Sequence, residues 1–302
     1  LWAGAHDLGS VSNTAGPVSP NVGQSPLPIS ANLVPESLRI SGPAADDLGP
    51  LQVAADMRNV LGIGPGTGRN GTWEQHLADL FERCEDAGIW IMRTGYVGSN
   101  THRTLSTADF RGFAIADKLA PIVFINGRDA KAAQAFTLAH ELAHIWLGAS
   151  GVSNPALDRR TDGSGNIELV CNAIAAEVLV PRALLMKSWD GSRSLAANAQ
   201  SLSQVFKVSR VVIARRALDC GKIGWNEYRA YFEQERRSWQ VPDEPGGGDF
   251  YRNAPIKNGR RFARAVLNSA MSGQLLFQDA GNLLHMKPGT VRKFYDRSLS
   301  ER

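Results

Sequence analysis

The amino-acid sequence predicts an α+β fold: a small mixed or antiparallel sheet packed on a pair of apolar helices, with helical extensions towards the C-terminus. Three observations carry this. Three short β-rich runs stand close together, at 89–92, 112–116 and 121–126. Two strongly apolar helical segments follow, at 130–147 and 167–179. Beyond residue 190 the apolar spacing is helical in three stretches, 194–220, 225–237 and 258–298.

Residues 1–50 are crowded with Pro, Gly, Ser and Asn and hold no period, which predicts an extended or disordered arm. From Leu51 two helices are expected, over 51–62 and 72–87, with Gly88 ending the second. Asp117–Ala120 joins the second and third strands as a hairpin loop, and Pro121 at a strand start suits a sheet edge. Asn126–Asp129 reads as a turn, with Asp129 as N-cap of the helix after it. A Gly-, Ser- and Asp-rich loop covers 148–166. Two short helices meet at Lys207–Ser209 within 194–220, and another runs over 225–237. A Pro/Gly linker follows at 241–257, and a small helical tail at 258–298 closes the chain. The domain boundaries expected are thus 51–190 for the main domain and 191–240 for a helical subdomain.

The bulk numbers exclude some classes. With 43% hydrophobic and 21% charged residues the chain can build a core as an ordinary globular protein does. Its apolar stretches are short and interrupted, so no membrane span is expected. A net charge of +4 is too mild to argue for nucleic acid by itself. Cys84, Cys171 and Cys220 are far apart and odd in number, which is no disulfide framework; they read as packed, reduced thiols, and a cytoplasmic setting is expected. No secretory signal is seen, although the chain opens on Leu1 rather than Met, which leaves preceding residues open.

The chemistry concentrates in His140-Glu141-Leu142-Ala143-His144. Histidines four apart on a helix lie about 40° apart on one face, so their imidazoles can take two corners of one metal site. Glu141 lies one step round, near enough to act as general base on a water without ligating the metal. The surrounding residues are nearly all apolar, and two histidines and a carboxylate in a buried helix need a polar partner that a metal supplies. A catalytic zinc site takes three protein ligands. The next helix offers Glu168, with Asn172 four residues on to hydrogen-bond a ligand, or else Glu177, about 180° round from Glu168. Glu168 is preferred because it shares its face with Asn172. Zinc suits two histidines and a glutamate best, and manganese or iron fits the same donors.

The stretch Gly112–Pro181 resembles the ImmA/IrrE family of metallopeptidases. That family follows a strand and an Asn-Gly turn with H-E-L-x-H, then a helix of the form E-x-x-A-N-x-F-A-x-x-L-L-x-P. Here the second motif runs from Glu168 through Cys171, Asn172, Ile174 and Ala175 to Pro181, departing at Cys171 and Ile174. The resemblance implies a zincin-like core with a gluzincin-like site, in which Glu168 is the third ligand. It also implies cleavage of a transcriptional repressor, switching on stress or mobile-element genes.

Further site candidates are weaker. Val123, Phe124 and Ile125, in the strand leading into the metal helix, could hold a peptide as an added strand. Tyr96, His102 and Arg103 stand in a polar loop from which a donor could reach an oxyanion. The helix pair in 194–220, with Arg215 and Arg216, has the pattern of a helix-turn-helix that could contact DNA. The rival reading is a regulatory protein that binds DNA or a partner, as in a toxin–antitoxin setting, and whose metal site is structural or inactive. Glu141 argues against it, since a purely structural site has no use for an uncoordinated carboxylate. A secreted protease is a second rival, disfavoured by the cysteines.

Overall fold

The structure, a computed structural model, describes residues 49–64, 71–97, 100, 102–153, 166–237 and 257–300. Most of the expected arm, the linker and much of the 148–166 loop lie outside these residues.

Two helices open the described chain, α1 (Pro50–Val60) and α2 (Trp73–Asp86). Thr72 starts α2 through a reciprocal cap: its hydroxyl accepts from the Gln75 N–H at 3.2 Å, and Gln75 Oε1 accepts from the Thr72 N–H at 2.8 Å. Strands β1 (Trp90–Thr94), β2 (Gly112–Ile115) and β3 (Ile122–Asn126) then lead into α3 (Lys131–Trp146). A fourth short strand, β4 (Gly151–Ser153), falls inside the segment the sequence marks as loop. The sheet order is β1-β3-β2-β4, with β1 parallel to β3 and the other pairs antiparallel. The fold is therefore α+β with a mixed sheet.

Every residue of α3 from Gln134 to Trp146 is buried. A helix apolar on all sides needs cover on all sides. Here α2, β2, β3, α1 and α4 (Asn166–Leu179) supply it. Two polar ties hold α1 in place: Trp146 Nε1 donates to Asp56 at 2.8 Å, and Arg58 donates to the Val178 carbonyl at 2.6 Å. The cap of α3 is Ala130 rather than Asp129. The Asp129 carboxylate accepts the Ala130 N–H at 2.9 Å and faces Arg111 at 3.5 Å instead. Cys84, Cys171 and Cys220 are free and buried, and burial pushes the first two thiols up.

Helix α5 (Arg182–Ser188), for which no helix is expected from the sequence, follows Pro181. Then come α6 (Leu195–Phe206), α7 (Arg210–Asp219) and α8 (Trp225–Arg237). The join between α6 and α7 turns on Lys207 in the left-handed region, φ 53°.

The tail folds as α9 (Arg260–Met271), α10 (Phe277–Leu284) and α11 (Pro288–Ser300) around a small core of its own: Ala263, Val266, Leu267, Leu284, Val291 and Phe294. It sits against β1. Phe262 meets the Trp90 ring at 5.4 Å, and Glu85 accepts the Arg261 N–H at 3.1 Å. Gly259 makes the approach possible: its φ is +79°, and a Cβ there would clash with the Ile91 carbonyl oxygen.

No single described helix is long and apolar enough to cross a membrane.

Candidate metal centre

Local sequence and long-range packing meet at one point. His140 and His144 sit one turn apart on α3, with their rings edge to face at 4.9 Å and their Nε2 atoms 3.2 Å apart. Helix α4 packs across α3 and brings in Glu168. Its Oε2 lies 3.1 Å from His140 Nε2, and its Oε1 lies 3.3 Å from His144 Nε2. Asn172, one turn along α4, places Oδ1 3.0 Å from His140 Nδ1.

The proton logic of this cluster points to a cation. An amide oxygen accepts, so His140 Nδ1 carries the hydrogen and its Nε2 presents a bare lone pair. That lone pair faces a carboxylate oxygen and a second imidazole nitrogen. Acceptors that converge in a buried place repel unless a proton or a metal cation lies among them. The spacing is compatible: a tetrahedral site with bonds of about 2.0–2.1 Å has edges of about 3.3–3.4 Å, close to the 3.2 Å between the two Nε2 atoms, and the carboxylate offers one oxygen to each ring, at 3.1 and 3.3 Å. His140, His144 and Glu168 form a group that can hold a metal ion, with one ligand atom of each within 4.8 Å of the others.

The electrostatics suit ligation. Burial, reinforced by the neighbouring His140, holds His144 below the ordinary histidine range, although Glu168 opposes this; the neutral imidazole is the form that binds a metal. Glu168 is held below the usual carboxylate range, first by its contact with His140 and against the pull of burial.

Glu141 is fully buried beside the pair. Its carboxylate lies against the start of β2, where a Cβ on Gly112 would fall 3.0 Å from Oε1, 2.7 Å from the Thr137 methyl and 2.9 Å from the Phe124 carbonyl oxygen. Gly112 and Thr137, which are not among the candidates the sequence offers, thus shape the space of the candidate base. A glycine at a strand start was the signal available for this.

The other candidates fall elsewhere. Glu177, the alternative ligand, pairs with Arg216 and accepts the Arg182 N–H at 3.2 Å, so it braces α4 against α5 and α7. Val123, Phe124 and Ile125 require a correction. Strand β3 is interior, hydrogen-bonded to β1 on one side and β2 on the other, so its backbone has no free edge for a peptide. Val123 and Ile125 are buried, and Phe124 stacks on Phe113 at 5.1 Å. The edges are β1, which contacts the tail, and β4. Tyr96 is engaged in a bridge with Thr104, and Lys257 Nζ lies 5.4 Å from its ring centroid. His102 is exposed in a turn, where its N–H donates to Asn100 Oδ1 at 3.0 Å, and Arg103 is exposed beside it. In the 194–220 pair, most of α7 is buried: Val211, Val212, Ile213, Ala214, Arg216 and Ala217 all face inward. Of its remaining basic residues, Arg210 pairs with Glu235 at 3.0 Å and Arg215 with Asp219 at 3.1 Å.

Comparison with known families agrees with this geometry. Residues 84–218 match the model of the IrrE N-terminal-like domain of the M78 peptidases. Residues 258–297 match a domain of unknown function, DUF8813. No curated protein matches the chain. The M78 match spans both helices of the donor group, α3 and α4, and over residues 84–218 the chain is similar to the ImmA/IrrE family of peptidases.

Proposed function

We propose that the protein is a zinc-dependent endopeptidase that cleaves a specific protein, a transcriptional repressor in the first instance, and so acts as a gene switch in a stress or mobile-element setting. The observation that carries the hydrolase reading is the convergence of acceptors from His140, His144 and Glu168 at 3.1–3.3 Å, with a second carboxylate, Glu141, buried next to His140 on the same helix and outside that group. His140, His144 and Glu168 would hold the ion. Three protein donors leave a position open, as catalytic sites require. Zinc bound there supplies Lewis-acid activation of water near neutral pH.

The chain's own groups account for the rest. Asn172 fixes the His140 ring and its tautomer. Glu141 takes the water's proton at its carboxylate and returns it to the departing amine nitrogen. Burial of Glu141 beside Gly112 keeps bulk water from competing for that proton. The peptide track is assigned to the β4 edge in place of β3. Ser153 of β4 is paired with Gly112, and Gly112 touches Glu141, so a segment added along β4 would run towards the base. The repressor as substrate rests on the family resemblance alone, and a cytoplasmic setting on the three free, buried cysteines.

Elemental analysis of the purified protein tests the reading, alongside His140→Ala and Glu168→Ala. One zinc per chain, lost in both variants, supports it; Glu141→Gln should then keep the metal and lose peptide hydrolysis. A wild type that takes up no divalent metal after dialysis against zinc would sink the peptidase reading.

A further inference from the structure

The tail, whose family match carries no function, holds a second helix-turn-helix geometry, and this one faces solvent. Helix α10 is eight residues long and is joined to α11 by three residues, His285-Met286-Lys287. His285 adopts the left-handed conformation, φ 53° and ψ 43°, closely matching Lys207 at the α6–α7 join, φ 53° and ψ 41°. Gly281, in the middle of α10, is the point of closest approach. A Cβ there would lie 2.7 Å from the Met286 carbonyl oxygen, and Gly281 accepts the Met286 N–H at 2.8 Å. Ala280 and Leu284 on α10 and Val291 and Phe294 on α11 are buried together and fix the angle between the helices. A short helix, a tight three-residue turn and a second helix packed closely across the first is the arrangement that places the second helix in a DNA major groove.

The two junctions differ in what their second helix shows to solvent. Helix α7 is buried in the body. On α11, by contrast, Pro288, Gly289, Arg292 and Lys293 are exposed, spaced i, i+1, i+4 and i+5 along its N-terminal turns, the part that contacts base edges in such complexes. Lys287 in the turn is exposed too, and Asp296 stands a further turn towards the C-terminus.

Charge points to the partner. Between residues 257 and 300 stand eight Lys and Arg against two Asp, whereas the rest of the chain has 25 basic against 27 acidic residues. The positive balance of the protein is thus gathered in the tail; Lys257, Arg260, Arg261 and Arg264 lie towards Tyr96 and Glu85, and Lys287, Arg292, Lys293 and Arg297 stand on the α10–α11 side. A flat apolar partner would not need this, but a phosphate backbone does.

We propose that the tail is a DNA-binding module, with α11 entering the major groove of duplex DNA through Arg292 and Lys293. The module rests on its own observations, independent of the metal centre.

The test is fluorescence anisotropy of the full chain with a short labelled duplex of mixed sequence, titrated at several salt concentrations. Wild type should bind the duplex. Arg292→Glu with Lys293→Glu should weaken binding by at least about tenfold and lower the slope of log affinity against log salt by about 2. The pair Lys222→Glu with Arg229→Glu makes the same charge change at exposed sites outside the tail. It should change affinity by no more than about twofold, as a loss of non-specific field alone would. Unchanged circular dichroism keeps both variants interpretable. Absence of duplex binding by wild type, equal losses in the two variants, or tighter binding to single strands than to duplex would each overturn the proposal. The readout involves neither metal nor hydrolysis, so it stands or falls apart from the peptidase reading.

Discussion

Replacing Gly112 by alanine adds one methyl group where the structure has no room for it. The new carbon would sit 2.7 Å from the Thr137 methyl, 2.9 Å from the Phe124 carbonyl oxygen and 3.0 Å from Glu141 Oε1. The first two neighbours belong to α3 and to the central strand, and neither is the free end of a flexible chain. The strand must therefore shift or Glu141 must move. Overpacking of this kind costs about 1–3 kcal/mol. For a domain of this size that corresponds to a fall in melting temperature of roughly 2–12 °C. The functional loss should be larger than the stability loss suggests, because misplacing a catalytic group by about 1 Å can cost about a hundredfold. None of the three atoms nearest the added methyl belongs to His140, His144 or Glu168, so bound metal should remain at the wild-type level. The assay is a pairing of metal content, thermal unfolding and hydrolysis of a fluorogenic peptide pool. Full activity together with an unchanged melting temperature would refute the reasoning, since it would mean that Gly112 is not packed against the base. Loss of metal would refute it differently, by showing that β2 supports the ligands.

Other consequences follow from the same geometry. Asn172→Ala removes the acceptor that fixes the His140 ring and should weaken metal affinity about 10- to 100-fold in a chelator competition, with the fold intact. Arg216→Ala strands Glu177, which is mostly buried, and should cost about 3–5 kcal/mol in urea unfolding; Arg216→Met combined with Glu177→Leu should recover most of that, and a single variant costing less than about 1 kcal/mol would contradict a buried pair. His76 is buried with neither ring nitrogen hydrogen-bonded, and burial holds it below its ordinary value of 6.5. Its folded form resists protonation, so its contribution to stability is complete above pH 6.5 and is lost as the pH falls below that. Thermal unfolding of His76→Gln should therefore depend less on pH between neutrality and mild acid than wild type, and parallel curves would dismiss the effect.

The sequence alone determined the elements and the donor helix. Local periodicity set the bounds of α1, α2, α3, α4, α6, α7 and α8 to within a residue or two, because each is an amphipathic or apolar run with its own stop signal. His140, Glu141 and His144 were legible for the same reason: their geometry is a property of one helix turn. Asn172 and Glu168 were legible as residues sharing a face of the next helix. Tertiary structure decided what depends on partners far along the chain. Sheet order is one such property. Nothing local in Ile122–Asn126 says that β1 will pair on one side and β2 on the other, and so β3 became interior instead of an edge. Strand β4 was hidden because three residues in a Gly- and Ser-rich stretch have no period of their own; they are a strand only through pairing with β2. The role of Gly112 depends on α3 lying across it. The two helix-turn-helix junctions share backbone geometry, and it is packing that buries α7 in the body and leaves the N-terminal turns of α11 exposed. Pattern within a segment fixes its shape, whereas exposure and adjacency are set by what the rest of the chain places against it.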